Sequence, residues 1–316
     1  MGNYKNIDSE NVKVYVIIVT YNAMKWVDKC FKSLRESSVM IYPVVVDNKS
    51  TDETVRYISE HYPEVHIIKN DVNKGFGQAN NQGLEYAYSQ GGTNFFLLNQ
   101  DAWIYNNTIE KLVSLQNQYK IAIVSPIHLN GSGNKIDANF YNVMIKNSSF
   151  VSDLIFNRCE MFYEVPKINA AAWMLSKDTI EQIGGFDPIF FHYGEDGNYC
   201  QRLLFHKKKI VFAPSVYINH DRTIHGNSNA FNKNRFFSDL LTPCANVNLN
   251  AFKMIPKLIV FVLMHSKIAL TCLIKMDVKT LWYIIKAYLS LICYSFKIIR
   301  SLKINKTIGP QWLNLV

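Results

Sequence analysis

A chain of 316 residues, 48% hydrophobic and 13% aromatic, has enough apolar side chain to bury a large core, which excludes an intrinsically disordered protein. Its formal net charge of +9 favours a polyanionic partner, such as a phosphorylated substrate, an anionic membrane face or nucleic acid. The six cysteines are scattered without a Cys-x-x-Cys pair, which argues against a zinc cluster or a disulfide framework and fits a reducing compartment.

Residues 1–13 are polar and carry no apolar signal core, so no secretion signal is expected there. Residues 14–20 form a β-branched run with almost no polar interruption, the pattern of a strand buried on both faces of a parallel sheet. The run ends at Tyr21-Asn22, and residues 26–34 then place apolar side chains at helical spacing. A second strand over 42–46 ends in Asp47-Asn48-Lys49-Ser50-Thr51-Asp52, a helix continues through residue 58, and a third strand covers 65–68. Asn73-Lys74-Gly75-Phe76-Gly77 leads into a helix over 79–88, and residues 95–98 form a fourth, aromatic strand. Strand and helix thus alternate about four times, each strand closing on a polar cluster. This predicts an α/β fold with a mostly parallel, doubly wound central sheet, helices on both faces, and a ligand site at the carboxyl edge.

The fourth strand stops at Asn99-Gln100-Asp101. A carboxylate at that edge with oxygen-bearing neighbours suits a hard divalent cation shared with substrate phosphates, although Asp also caps helices. Gly75-Phe76-Gly77 does not match Gly-x-Gly-x-x-Gly, because Asn80 stands three positions after Gly77, and no Gly-Lys-Ser/Thr loop occurs. Neither a Rossmann dehydrogenase nor a nucleoside triphosphatase is supported.

A helix is expected over 108–119 and a strand over 121–125. The Asn-rich stretch 130–152 reads as loop or short irregular strands, 167–176 as a strand, and 178–183 as a helix ending on Gly184-Gly185. Glu195-Asp196 follows an aromatic run; one carboxylate could act as general base while the other supports it, or both could simply favour the start of a helix over 199–206. A last strand covers 210–213. His220 and His225 follow, and a lone His is more often structural than a ligand. From about residue 252 the composition changes. Apolar stretches over 255–274 and 281–299 are interrupted by lysines, so a true membrane span is not expected. They read as a C-terminal helical extension lying on an anionic leaflet, with a helical cap or a homodimer interface as the other reading. The expected division is a catalytic domain over 1–245 and this amphipathic region over 246–316.

These motifs, in this order and spacing, resemble the family 2 glycosyltransferases, inverting enzymes of the GT-A fold, and most closely a bacterial rhamnosyltransferase-like branch. The resemblance rests on Val19-Thr20-Tyr21-Asn22, Val46-Asp47-Asn48-Lys49-Ser50-Thr51-Asp52, Asn73-Lys74-Gly75-Phe76-Gly77, Leu98-Asn99-Gln100-Asp101, and Gly184-Gly185-Phe186-Asp187 through Glu195-Asp196. It spans residues 14–225 and is not specific for the sugar. It implies that Thr20, Tyr21 and Asn22 border the nucleotide, that Asp47 and Asn48 hold base or ribose, and that Lys74, Gly75, Phe76 and Asn80 flank the donor. Asn99, Gln100 and Asp101 would meet the diphosphate, with Asp101 binding Mg2+ or Mn2+ and His220 approaching the metal. Asn99 replaces the first aspartate of the family's Asp-x-Asp motif, supplying an oxygen without a charge. Asp196 would be the base that deprotonates the acceptor hydroxyl, with Glu195 in support, and Trp173, Asp187 and Tyr193 would face the acceptor. Gly197-Asn198 stands where the family usually continues with an acidic or apolar pair.

The resemblance implies transfer from a nucleotide-diphosphate sugar, dTDP-rhamnose or a UDP-sugar, to a glycan or polyprenyl-diphosphate-linked oligosaccharide of a growing surface polysaccharide. The expected location is cytoplasmic, peripheral on the inner face of the plasma membrane. The alternative is an inactive nucleotide-sugar or glycan-binding protein, motivated by Asn99. Nucleic acid is not an expected partner, since no basic-aromatic strip is visible in the catalytic part.

Overall fold

The computed structural model describes residues 12–222, 232–250, 276–315 and scattered positions between 259 and 274. His225 and most of the stretch 252–274 therefore lie outside the described residues.

The first half builds as its pattern dictates. Strand β1 (Val14–Thr20) leads to helix α1 (Val27–Arg35), β2 (Ile41–Asp47), α2 (Thr54–His61), β3 (His66–Lys69), α3 (Gly75–Ser89) and β4 (Asn94–Leu98). In β1, Val14, Val16 and Ile18 enter one core with α1, while Tyr15 and Ile17 enter a second core with α3. Burial on both faces is why the run lacks the polar alternation of a half-exposed strand. β1 pairs in parallel with β2 on one side and β4 on the other, and β3 extends the sheet beyond β2. The chain thus turns left from β1, then returns to its right, and a crevice opens at the carboxyl ends of β1 and β4.

The second half completes the sheet with mixed strands. After β5 (Ala102–Ile104) and α4 (Thr108–Tyr119) come β6 (Ile123–Asn130), α5 (Ala138–Met144), α6 (Ser148–Ile155), β7 (Tyr163–Glu164), β8 (Ala172–Ser176), α7 (Lys177–Ile183), α8 (Glu195–Phe205) and β9 (Ile210–His220). The strand order is β3-β2-β1-β4-β8-β6-β9-β5, with β7 also paired to β9. β8 is antiparallel to both β4 and β6, so β6 regains the direction of β4, and β9 runs parallel to β6. The end of β9 therefore reaches the same edge as the end of β4.

Several expectations need correction: α3 starts at Gly75 rather than 79, β6 runs to Asn130 rather than 125, and β8 starts at Ala172 rather than 167. The stretch 130–152 is not loop or irregular strand: it carries α5 and α6, whose first turns are capped by the side chains of Asp137 and Asn147. The residues that read as loop formers are caps. Helix α8 begins at Glu195, four residues earlier than the apolar spacing indicates, and β9 runs seven residues past Ala213 to His220.

Helix α9 (Lys233–Cys244) closes the expected catalytic region, and helices α10 (Val278–Cys293) and α11 (Ser295–Asn305) are described in the C-terminal extension. Phe236 and Leu240 of α9 bury Ile284 of α10. Phe190, Leu241 and Ala245 form a second small core with Leu291, Tyr294 and Ile298 packed against it. The extension is not wholly peripheral. Leu313 enters the main core beside Phe186, and the Gly185 amide donates to the Gln311 carbonyl at 2.8 Å. Gly184 has φ +83°, and an added Cβ there would sit 1.9 Å from that carbonyl oxygen.

The tether of α11 is Asp187, only 1% exposed. Its carboxylate accepts from the Ser301 hydroxyl, from Asn305 Nδ2 at 2.7 Å and from the Ile189 amide at 3.0 Å. Asp187 is thus occupied in holding a helix more than a hundred residues away, and the acceptor role expected for it is not what its surroundings support. Replacing Asp187 by Ala is expected to lower stability by about 2–3 kcal/mol, because the buried Asn305 amide loses a charged acceptor. Urea denaturation measures this; an unchanged midpoint would show that α11 is anchored elsewhere.

Candidate active site

The crevice between β1 and β4 is closed at its base by a reciprocal clasp. The Tyr21 amide donates to Gln100 Oε1 at 2.7 Å, and Gln100 Nε2 returns a bond to the Tyr21 carbonyl at 3.2 Å. Asn22, at φ +49°, places Oδ1 to accept from the Thr51 amide, and its own amide donates to Ser50 Oγ. These bonds tie the loops after β1, β2 and β4 into one rim. Tyr21 keeps its ring half exposed above it, available to stack on a planar ligand.

Beneath the rim lies Asp47. Thr20 Oγ1 and Ser50 Oγ donate to its Oδ1 at 2.8 and 2.6 Å, and the Ser50 amide donates to its Oδ2. Thr20 and Asp47 are buried, so they hold the loop after β2 in place rather than face the opening. Asn48 ties the same loop to the next one: its Nδ2 donates to the Gly75 carbonyl at 3.0 Å, and its Oδ1 accepts from Asn70 and from the Lys74 amide. Asn80 is buried and bonded to the Phe76 carbonyl one turn back, and does not border the cavity.

That cavity has a volume of about 440 Å³. Tyr21, Asn48, Gly75 and Phe76 line one side, and Asn99, Gln100 and Asp101 another. Phe191, His192 and Asn234 complete the wall, and sequence reading assigned none of the three. Gly75 explains how they arrive. With φ +79° it lets the turn lie against the Phe191 backbone, where an added Cβ would meet the carbonyl oxygen at 1.9 Å. Gly77 likewise sits against Phe186 and Glu195, with contacts from its Cβ position of 2.9 and 3.6 Å. The two glycines admit a neighbouring loop.

At the far end of the cavity Asp101 meets His220. Pairing of β5 with β9 sets Ala102 opposite His220, and the Asp221 amide donates to the Asp101 carbonyl. Asp101 Oδ1 stands 3.3 Å from His220 Nε2, and Asn99 Nδ2 lies 3.4 Å from the same nitrogen. The His220 ring is buried while the Asp101 carboxylate is partly open. Two lone-pair donors at that separation need a proton or a cation between them. One carboxylate and one imidazole fit a hard divalent ion, which Asp101 and His220 would hold with its other positions left to substrate oxygens. Among the described residues no group of three His, Cys, Asp or Glu side chains is arranged to hold a metal ion by itself.

The carboxylate pair begins α8. Gly194, at φ +89°, turns the chain so that Glu195 and Asp196 occupy the first helical turn. Glu195 is buried with Oε2 unpaired, and burial, reinforced by the neighbouring Asp196 charge, pushes its carboxyl up to about 7. Asp196 is more open, accepts from the Gly197 amide, and has Lys167 Nζ 3.8 Å from its Oδ1. Gly197 leaves room for that lysine, whose Nζ would lie 3.0 Å from an added Cβ, and Asn198 ties α8 to the Ala245 carbonyl after α9. The departure at 197–198 is thus accommodated by Lys167 and α9, neither of which sequence reading connected to the site.

Trp173 does not line the cavity. It is fully buried on β8, its ring 6.0 Å from that of Phe186 and 5.7 Å from that of Tyr199, within the main core. Tyr193 is accessible on the loop that leads into α8, with its backbone carbonyl held by the Ser238 hydroxyl.

Comparison with known proteins agrees with this geometry. The family model described as Glycosyl transferase family 2 matches residues 15–169. The chain is 25% identical over 212 residues to the dTDP-rhamnosyl transferase RfbF of Shigella flexneri, covering 66% of this chain and 69% of that protein. It is also 25% identical over 198 residues to the low-salt glycan biosynthesis hexosyltransferase Agl10 of Haloferax volcanii, of which it spans 60%. Among solved structures, the mannosyltransferase PcManGT of Pyrobaculum calidifontis, in complex with GDP-Man and Mn2+, superposes with a TM-score of 0.58 at 16% identity, covering 96% of this chain and 89% of that one. S. aureus TarS in complex with UDP-GlcNAc gives 0.54 at 17% identity, over 80% and 72% of the two chains. Residues 15–169 thus match the glycosyl transferase family 2 model, and the chain is a glycosyltransferase with the GT-A fold that uses a nucleotide-sugar donor.

Proposed function

We propose that the protein is an inverting, divalent-cation-dependent transferase that moves a hexose from dTDP-rhamnose or a UDP-sugar to a hydroxyl of a lipid-linked surface polysaccharide. The observation that carries this reading is the pairing of the cavity-lining Asp101 with His220, together with Asp196 at the start of α8, four residues after His192 of the cavity wall. The relative named as a dTDP-rhamnosyl transferase supports the first donor, and the TarS complex with UDP-GlcNAc the second.

In this reading the Tyr21 ring stacks on the base, and the Asn48 and Gly75 rim borders the ribose. Asp101 and His220 would hold Mg2+ or Mn2+, which would supply positive charge to offset that developing on the departing nucleotide diphosphate. Asp196 takes the proton from the acceptor hydroxyl as that oxygen attacks the anomeric carbon from the face opposite the leaving group. Glu195 keeps its proton up to about pH 7, and Lys167 stands 3.8 Å from the Asp196 carboxylate. An acidic leaving group needs no separate proton donor, unlike the paired carboxylates of glycoside hydrolysis.

The C-terminal extension completes the proposal. Trp282, Ile285, Leu289, Ile292, Phe296 and Ile299 are exposed at intervals of three or four residues along α10 and α11, interleaved with Lys279, Lys286, Lys297 and Lys303. No single described helix is long and apolar enough to cross a membrane, although α10 and α11 together pass on length and composition with a 57° bend. We assign this strip to the surface of an anionic leaflet on the cytoplasmic face of the plasma membrane, where a polyprenyl-diphosphate-linked acceptor would be presented.

Asp196→Asn is expected to reduce transfer at least about 100-fold while donor affinity stays within twofold. Titration and turnover against dTDP-rhamnose, UDP-GlcNAc and GDP-mannose with Mn2+ decide this; undiminished turnover sinks the assignment of the base, and no binding to any donor sinks the reading itself. Glu195 adds a pH signature. Its folded carboxyl titrates near 7 against the usual 4.5, so the stability it contributes is complete below pH 4.5 and gone above about 7. The difference between wild type and Glu195→Gln should change by about 3 kcal/mol across that window, as read from urea midpoints; parallel pH curves would show that the carboxyl titrates normally. For the membrane strip, the full chain should co-sediment with phosphatidylglycerol vesicles and be released when Trp282 and Phe296 are both changed to Ser. Stable dimers that ignore the vesicles would assign the strip to a second copy instead.

A further inference from the structure

Behind the proposed metal pair lies a buried polar cluster that the catalytic scheme does not use. β6 pairs with β9 so that Asn130 stands opposite His220, and the chain then folds back through the bridge between Leu129 and Ile136. That reversal brings Asp137 beside the end of β9, where its amide donates to the His128 carbonyl at 2.9 Å. Asp137 is 4% exposed. Its Oδ1 accepts from the Asn139 and Phe140 amides at the start of α5, and its Oδ2 accepts from Arg222 Nε at 3.1 Å. The same Oδ2 lies 3.9 Å from His220 Nδ1, a buried nitrogen with no hydrogen-bond partner.

The two nitrogens of His220 therefore face different surroundings. Nε2 looks toward Asp101 and Asn99, and Nδ1 looks toward the Asp137 carboxylate. A neutral imidazole carries its proton on one nitrogen only. With the proton on Nε2, it points at Asp101 Oδ1 and fills the place a cation would take. With the proton on Nδ1, it points at Asp137, and the Nε2 lone pair accepts from Asn99 Nδ2 at 3.4 Å, a bond that a metal beside Asp101 would replace. A carboxylate behind the ring selects the second tautomer and fixes the ring plane, as histidine ligands of metal sites usually require. Asp137 is itself fixed: two backbone amides and Arg222 hold it, so its position does not depend on the ligand.

Resting on the reading of Asp101 and His220 as the metal pair, we propose that Asp137, braced by Arg222 and the amino end of α5, is a positioning residue that sets the His220 tautomer and orientation for divalent-cation binding. The 3.9 Å separation closes to a hydrogen bond when the Nε2 side is loaded.

The test is Mn2+ affinity of the full chain, read by electron paramagnetic resonance with saturating UDP and, in parallel, dTDP. Asp137→Asn and Asp137→Ser both retain a side-chain oxygen to cap α5, and serine is too short to reach the imidazole. Both should weaken Mn2+ binding 10- to 100-fold, with Asp196→Asn binding as wild type does. Wild-type affinity within twofold in both Asp137 variants overturns the inference while leaving the metal pair standing. Absence of Mn2+ binding in the wild type with either nucleotide removes the metal reading and this inference together. A second measurement does not depend on the variants folding. The 15N imidazole spectrum of wild-type protein loaded with Mg2+ and nucleotide should show His220 protonated at Nδ1, and protonation at Nε2 would falsify the assignment.

Discussion

The site depends on one topological constraint: strands β1 and β4 are neighbours in the sheet, but the chain leaves them in opposite directions, so their carboxyl ends cannot be covered by a single connection. The gap is a place for a ligand, and the protein stabilises it with the Tyr21 and Gln100 backbone-to-side-chain clasp. Asp47, Ser50, Thr51 and Asn22 extend that clasp sideways into a rim. Several of the side chains resembling nucleotide contacts are thus the scaffold under those contacts. A buried carboxylate such as Asp47 is tolerable because three donors satisfy it.

The opposite wall is built by long-range packing. Residues 187–194 are shaped from below by Gly75 and Gly77 and from behind by α9, α10 and α11, with Asp187 bonded to Ser301 and Asn305. The same loop presents Phe191 and His192 to the donor cavity and delivers Glu195 and Asp196 at the head of α8. The helices proposed to meet a membrane therefore contact, through α11, the segment that carries the proposed base.

Electrostatics divide the work between adjacent carboxylates. Glu195 is buried and prefers its proton to near neutrality, whereas Asp196 is open and close to Lys167. Neighbours in sequence thus acquire different chemistry because one points into the core and the other out of it. Asp101 and Asp137 show the same contrast around His220: one borders the cavity, and the other is sealed behind the ring.

The amino-acid sequence by itself determined the parallel half of the sheet, the polar clusters at its carboxyl edge and the family resemblance. Strands buried on both faces read as unbroken β-branched runs, and Asp101 and Asp196 stand in contiguous motifs whose spacing is local. It did not reveal α5 and α6, because helices of seven and eight residues offer too few turns for a period to emerge among their capping Asn and Asp. Tertiary structure alone decided which motif residues face the cavity. Trp173 was expected beside the acceptor and lies in the core, because β8 is antiparallel between β4 and β6 with both faces covered. It also decided the partners. Phe191, His192, Asn234, Lys167 and Asp137 reach the site through a glycine contact, an α9 packing face and a strand reversal, and side-chain proximity across such sequence separations leaves no periodic trace in the chain.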